Sequence, residues 1–427
     1  MLRALSMKNV GPAEEMSLDP FGARLNLITG DNGLGKSFLL ELAWWTLTGA
    51  MGNPAITPAR PGEARIDAVV SRAGRRAKVS ARWEPRAASW SRTRIDTAQA
   101  HPLVVYARAD GAVWLWDPLR NLGAEVVGGG EEVPNPKAYF VGPRAAMEGL
   151  RRTIPISGVL TEQTLCAGLI HDWVDWQRSG DPRFEALCRT LSALSPADAE
   201  IRPGEPTALG RQDVRLMPTV VMPYNLTVPL TLAPAGVLSV ARLAYLLTWF
   251  RTAHDDLAAR LGVPRAPQLV VLLDEPETHL HPRWQRTYLP SLLRSFEGGG
   301  PALQLLVATH SPLVLASMEP HFDEAQDALW KLDLTARGVE IARDHWHLRG
   351  NVSSWLRSDV FDLGDDRSVE AEAALAAAAR LIGAPGLSRA DALTMSQRLL
   401  TLLNPNDPRY LSWRHHMRHL LDDEAAP

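Results

Sequence analysis

Three glycines, a lysine and a serine fall in one short run, Gly30-Asp31-Asn32-Gly33-Leu34-Gly35-Lys36-Ser37, which has the form G-x-x-x-x-G-K-[ST]. Glycines at these positions let the backbone turn its N–H groups toward an anion. A lysine at Lys36 reaches the terminal phosphates of a nucleotide, and the Ser37 hydroxyl is placed to ligate a divalent cation. Far along the chain, the apolar run Gln268 to Leu273 ends in Asp274 and Glu275, and a second run, Gln304 to Thr309, ends in His310. Asp274 is suited to hold magnesium, directly or through water, and Glu275 to polarise an attacking water. Together these residue types point to the gripping and cleavage of a nucleoside triphosphate.

Such groups act only if rigid elements carry them to one place. Arg24 to Thr29 reads as a short buried strand and Phe38 to Trp45 as a helix. The octet therefore falls at a strand-to-helix turn, where the helix N-terminus adds partial positive charge. A continuous apolar run such as Leu269 to Leu273 is the pattern of a parallel strand buried on both faces. It delivers Asp274 and Glu275 at its C-terminal end, where an open α/β sheet places its ligand.

The three segments resemble those of ABC-type ATPases. In wording, G-D-N-G-L-G-K-S, D-E-P-E-T-H-L-H-P and A-T-H-S-P are similar to the OLD and RecF-like branch, which includes many bacterial AAA-type ATPases of anti-phage defence, such as the ATPase subunit of Septu-type systems. The resemblance implies an α/β P-loop NTPase with an ABC-like mixed sheet, a flanking antiparallel β-sheet and a compact helical lobe. It implies ATP and Mg²⁺ as cofactors. Gly30, Asn32, Gly33, Gly35, Lys36, Ser37 and Asp274 would contact the nucleotide, and Ser37 and Asp274 the metal. Lys36, Glu275 and His310 would be catalytic, the histidine touching the γ-phosphate and the attacking water.

In such ATPases two subunits sandwich ATP, so a homodimer or higher oligomer through the ATP interface is expected. Each subunit offers a signature motif to its partner's nucleotide. Gly236, within Thr231 to Ser239 and before the helical run Val240 to Phe250, is the candidate here. The match departs from the family pattern of S-x-G followed by a polar or basic residue, because Pro234 stands at the serine position and Val237-Leu238 follow Gly236. Proline supplies neither a hydroxyl nor an N–H. A weakened contact across the interface is expected, with slow or absent turnover.

OLD-family nucleases carry a metal-dependent Toprim domain after the ATPase, and the sequence beyond His310 reads as supplying none. Nuclease work is therefore expected of a partner effector on another polypeptide, an HNH-type nuclease among the candidates. Two alternatives stay open: a RecF-like repair ATPase that binds DNA directly, and a non-hydrolysing scaffold that holds ATP. A transporter subunit fits least, since P-E-T-H-L-H-P replaces the transporter-like P-T-S-x-L-D.

The chain of 427 residues is 46% hydrophobic, enough for a full core, and its formal net charge of −3 argues against wholesale attraction to nucleic acid. A local basic face remains open, with Arg72, Arg75, Arg76, Lys78 and Arg82 in one hairpin and Arg92 and Arg94 beyond it. Cys166 and Cys188 are the only cysteines, which suits a reducing cytoplasm, and no apolar stretch is long enough for a membrane span. Met1 to Val10 reads as a first strand and not as a leader.

Along the chain, residues 1–345 are expected to form the ATPase domain with a helical insert at about 145–235, and 346–427 a helical C-terminal appendage. Ala64 to Trp83 and Leu103 to Trp116, the latter around Asp110-Gly111, read as hairpins of the flanking antiparallel sheet. Gly128 to Gly130 read as a loop and residues 159–195 as helical. Prolines between Lys36 and Asp274 exclude a long coiled coil. Leu329 to Leu334 and Val339 to Ile341 read as a closing strand pair, and helices are expected near 366–382, 388–403 and 406–421. Asp362, Asp365 and Asp366 read as capping and solvated residues, and His415, His416 and His419 as a surface helix.

Overall fold

The computed structural model describes residues 1–52, 56–72, 74–93, 101–127, 131–156, 159–196, 199–210, 215–296, 301–336, 338–361, 363–384 and 386–421. Arg94, Gly128 to Gly130 and Asp362 lie outside the described residues. The chain divides into two units, Met1–Gly350 and Asn351–Pro427.

The first unit is organised by an eight-stranded sheet with the order Tyr139–Val141, Val113–Trp116, Leu103–Ala107, Gln268–Asp274, Ala302–Ala308, Leu25–Gly30, Asp327–Thr335, Gly338–Asp344. The five strands from Leu103–Ala107 to Asp327–Thr335 run parallel, and the outer ones add antiparallel edges. Leu269 to Leu273 and Leu305 to Ala308 are essentially inaccessible to solvent, as strands covered on both faces must be.

A second, antiparallel sheet has the order Glu15–Leu18, Leu2–Lys8, Arg65–Arg72, Arg75–Glu84, Ser89–Arg92. The helix Lys36–Thr48 shares one core with both sheets, through Leu39, Leu40, Leu42, Ala43, Trp44, Trp45 and Leu47. That position explains why its sequence is apolar on nearly every side, since a helix covered all round has no polar face to show. Buried Gln304 stitches the layers together. Its amide accepts from the Leu2 N–H at 2.7 Å and donates to the carbonyls of Leu2 and Gly22 at 2.8 Å.

Two expectations about the first unit are corrected. Leu103 to Trp116 does form a hairpin, but it belongs to the central sheet, where Leu103–Ala107 lies parallel to Gln268–Asp274. Leu103 to Tyr106 are buried at every position, the signature of an interior strand and not of a half-exposed hairpin. The insert is also not wholly helical. Leu150–Ile156 and Val159–Cys166 pair as a hairpin, and the helices begin only at Leu169–Ser179 and Pro182–Leu194. Gly149 and Gly168, both at positive φ, let the hairpin's base close: a Cβ on Gly168 would stand 2.3 Å from the Gly149 nitrogen. A three-stranded sheet follows, Arg202–Ala208, Leu216–Val221 and Thr227–Pro229. Pro203 and Pro206 fall on its edge strand, where a missing N–H costs least. Next comes the long helix Ala235–Leu261.

The second unit is helical: Val352–Leu356, Val369–Leu381, Arg389–Leu402, Pro408–His416 and Arg418–Leu421. Ala371, Ala374, Ala378, Leu399, Tyr410, Trp413 and Met417 form its core. Asp365 is not solvated as the sequence suggested; it is buried and ion-paired with Arg367 at 2.8 Å and Arg409 at 3.2 Å. Among the described residues, no cluster of three or more His, Cys, Asp or Glu side chains has a metal-binding arrangement, His415, His416 and His419 included.

Candidate nucleotide site

Leu25–Gly30 enters the glycine-rich turn, and Lys36–Thr48 leaves it. Gly30, Gly33 and Gly35 have φ of 137°, 82° and 101°, the left-handed region that glycine adopts without steric cost. Two of them are also pinned by close approach: a Cβ on Gly30 would lie 2.4 Å from the Leu332 carbonyl oxygen, and one on Gly35 2.8 Å from the Pro12 ring. No atom of the described residues would lie within 4 Å of a Cβ on Gly33, and Asp31, Asn32, Gly33 and Ser37 are exposed along the rim. The turn therefore has a packed base and an open lip.

Lys36 is only 5% exposed. Its ammonium donates to the carbonyls of Gly30 at 2.7 Å and Asp31 at 2.9 Å, curling over the turn it belongs to. Burial lowers its pKa, while Glu275 and Asp274 pull in the opposite direction. The Ser37 hydroxyl donates to Asp274 Oδ1 at 2.9 Å, so the start of the first helix and the end of a distant strand meet directly.

Asp274 is buried, and burial pushes its carboxyl up to about 6, against the opposing effect of the Ser37 bond. Two hard oxygen donors on adjoining elements, one a carboxylate short of compensation, fit a magnesium ion that keeps most of its coordination for phosphate and water. Arg108, after the strand Leu103–Ala107, pairs with Glu41 of the first helix at 2.6 Å and stacks on Trp114, bracing this end of the sheet.

Glu275 adopts φ of 47°, unusual for a residue with a side chain. Its N–H still donates to the Ala308 carbonyl at 2.9 Å, so the turn begins immediately after the ladder ends. It faces His310, whose Nδ1 lies 3.4 Å from Glu275 Oε1. Sequence reasoning missed Glu277. Its Oε1 accepts from the Thr309 hydroxyl at 2.8 Å and the His310 N–H at 3.1 Å, and lies 3.5 Å from His310 Nδ1. The signal that could have found it is an acid two places beyond Glu275 in a segment that must fold back on the sheet.

The structure thus gathers Lys36, Ser37, Asp274, Glu275 and His310 at the C-terminal edge of adjacent parallel strands. Gly236 sits apart from the glycine-rich turn, against the loop after Glu275, where a Cβ would stand 3.0 Å from the His279 carbonyl oxygen. Pro234 is the N-cap of the helix Ala235–Leu261 and provides no side-chain cap.

Residues 185–316, which include Gly236, Asp274 and His310, match the family described as "AAA domain, putative AbiEii toxin, Type IV TA system". Similar proteins include "Retron Ec83 probable ATPase" of Escherichia coli, 32% identical over 94 residues, which are 22% of this chain and 15% of that protein. Another is "Retron Vc95 probable ATPase" of Vibrio cholerae serotype O1 biovar El Tor, 45% identical over 71 residues, 15% of this chain and 13% of that one. The match therefore spans only a small part of the length of these relatives. Among solved structures, the SMC head domain from Thermotoga maritima aligns with 81% of this chain and 99% of its own at 17% identity, with a TM-score of 0.40. With a glycine-rich turn between a parallel strand and its helix, and paired acids two strands away, the chain has the P-loop fold of ABC- and AAA-type ATPases, and its motifs are similar to those of the RecF-like branch.

Proposed function

We propose that the chain binds ATP with magnesium at the Lys36 turn and hydrolyses it, working as a nucleotide-gated switch between two or more copies that controls a separate effector. The observation that carries this reading is the 2.9 Å bond between Ser37 and Asp274, which brings the phosphate-side and metal-side residues into one cleft. Lys36 would release its loop carbonyls and neutralise the terminal phosphates. Ser37 and Asp274 would hold the magnesium, which when bound offsets charge on the phosphate oxygens. Glu275 would take a proton from the attacking water, with His310 oriented beside it. The retron relatives, named as probable ATPases, and the resemblance to defence ATPases support an effector in anti-phage defence, an HNH-type nuclease being the class to test first.

The decisive experiment measures ATP binding and turnover for wild type, Lys36→Ala and Glu275→Gln, with the assembly state followed by sedimentation. Wild type should turn over ATP, Lys36→Ala should fail to bind it, and Glu275→Gln should bind without turnover and accumulate as an ATP-held dimer or larger oligomer. A wild type as inert as Glu275→Gln, yet still binding ATP, would favour the scaffold reading that Pro234 motivates.

A second reading, direct DNA binding, has its own supporting observation. On the strand Arg75–Glu84, Arg76, Lys78 and Arg82 are exposed while Val79 and Ala81 are buried, so three cations share the outer face of the antiparallel sheet. Steeply salt-dependent binding of duplex DNA, lost in Arg76→Ala/Lys78→Ala/Arg82→Ala, would support it.

A further inference from the structure

We propose that Glu277 is a positioning residue for His310, holding the imidazole with its proton on Nδ1 so that Nε2 is left free for what enters the cleft. The inference rests on the ATPase reading and assigns a role in it to the fourth residue of D-E-P-E-T-H-L-H-P, to which the resemblance gave none.

Three contacts converge on one oxygen. Glu277 Oε1 accepts from the Thr309 hydroxyl and from the His310 N–H, which fixes the backbone at the end of Ala302–Ala308. The same oxygen lies 3.5 Å from Nδ1 of the His310 ring, and Glu275 Oε1 lies 3.4 Å from that nitrogen on another approach. Two carboxylate oxygens at ion-pair distance from one ring nitrogen favour a proton there, as a carboxylate does for the imidazole of a catalytic triad.

Glu277 is 6% exposed, and its second oxygen is buried without a hydrogen-bond partner among the described residues. Burying an undercompensated carboxylate is costly, and a glutamine would clamp Thr309 and the His310 N–H as well without a charge. What the carboxylate adds over an amide is its charge, which faces the His310 ring, itself 46% exposed, at 3.5 Å and also acts, as the smallest of several causes, on Lys36. The backbone tethers set where the ring stands, and the charge selects which ring nitrogen carries the proton of the neutral imidazole.

Wild type, Glu277→Gln, Glu277→Ala, His310→Ala and the Glu277→Gln/His310→Ala double variant test this, by ATP turnover, ATP affinity and ¹⁵N spectra of histidine-labelled, nucleotide-free protein. The His310→Ala variant assigns the His310 signals. Glu277→Gln should keep the fold and ATP affinity but lower kcat by roughly tenfold or more. It should add no further loss to His310→Ala, and the Nδ1–H tautomer seen in wild type should diminish. Full turnover and an unchanged ring spectrum in Glu277→Gln, with loss only in Glu277→Ala, would reduce Glu277 to a backbone clamp and overturn the proposal. A wild type that does not hydrolyse ATP, but whose His310 signals still shift in Glu277→Gln, would refute the ATPase reading and leave the positioning role standing.

Discussion

The Ser37 hydroxyl donates to Asp274 Oδ1 at 2.9 Å across 237 residues of sequence. Each is the other's partner in the cleft, and each is an oxygen donor suited to magnesium. Removing either should therefore weaken ATP binding mainly in the presence of the metal. Ser37→Ala and Asp274→Asn are expected to raise the dissociation constant for Mg·ATP by about tenfold or more, a loss of ~1.4 kcal/mol. Binding measured in excess EDTA should differ far less between variants and wild type. Equal losses with and without magnesium would place these residues outside the metal site.

The same burial that prepares Asp274 for a cation makes it a liability without one. Its carboxyl is raised from 3.8 to about 6, chiefly by desolvation. The sign follows: below the unfolded value both states are protonated, and as pH rises through the folded value the native protein must carry a buried charge that the unfolded chain solvates freely. Asp274→Asn removes that burden, so the nucleotide-free variant should be more stable than wild type at pH 8, by up to about 3 kcal/mol. The advantage should shrink as pH falls through 6 and vanish below about 4. Thermal unfolding across that range checks it; an advantage independent of pH would point to packing instead.

The base and the lip of the glycine-rich turn should respond differently to a methyl group. Gly30 has φ of 137° and no room, because a Cβ would meet the Leu332 carbonyl of the neighbouring strand at 2.4 Å. Gly33 has φ of 82° but open space around it. Gly30→Ala is expected to destabilise the fold by about 3 kcal/mol or more, since backbone strain and a clash with rigid sheet backbone combine. Gly33→Ala should cost only about 1 kcal/mol of stability, yet lower ATP affinity, because the added methyl stands on the lip where phosphate would lie. Unfolding curves and nucleotide titrations on the two variants separate the effects.

Much of this site was legible from local pattern. Leu269 to Leu273 and Leu305 to Val307 are continuous apolar runs, so their placement as interior strands, and the delivery of Asp274 and His310 at their ends, followed from what a strand covered on both faces must contain. The segment Leu103 to Tyr106 carries the same pattern, but the strong Asp110-Gly111 turn drew attention to hairpin pairing and hid the parallel neighbour. Val159–Cys166 carries Val159, Thr161 and Thr164 and pairs as a strand, a β preference that the helical run after Gly168 obscured. Glu277 was signalled locally only as an acid two places beyond Glu275; its partners Thr309 and His310, 32 and 33 residues away, could not be read from that segment. The positive φ of Glu275 was equally hidden, because it arises where the chain must leave one strand and turn back over the next.

Pro234 caps the N-terminus of Ala235–Leu261 without a side-chain acceptor, although this is the position where a serine oxygen satisfies a free N–H of the first turn. Serine is also the residue that signature motifs of the resembling ATPases place there. Pro234→Ser therefore carries two separable expectations. As a helix cap it should stabilise the nucleotide-free protein by about 1 kcal/mol, visible in thermal unfolding at any protein concentration. As a donor offered to a partner copy's nucleotide it should raise kcat, and only under conditions where ATP holds two copies together, so the gain should grow with protein concentration and disappear on dilution. A gain in stability with unchanged turnover would mean that the proline is not what limits hydrolysis. In that case Val237 and Leu238, which stand where polar or basic residues are expected, become the next positions to exchange.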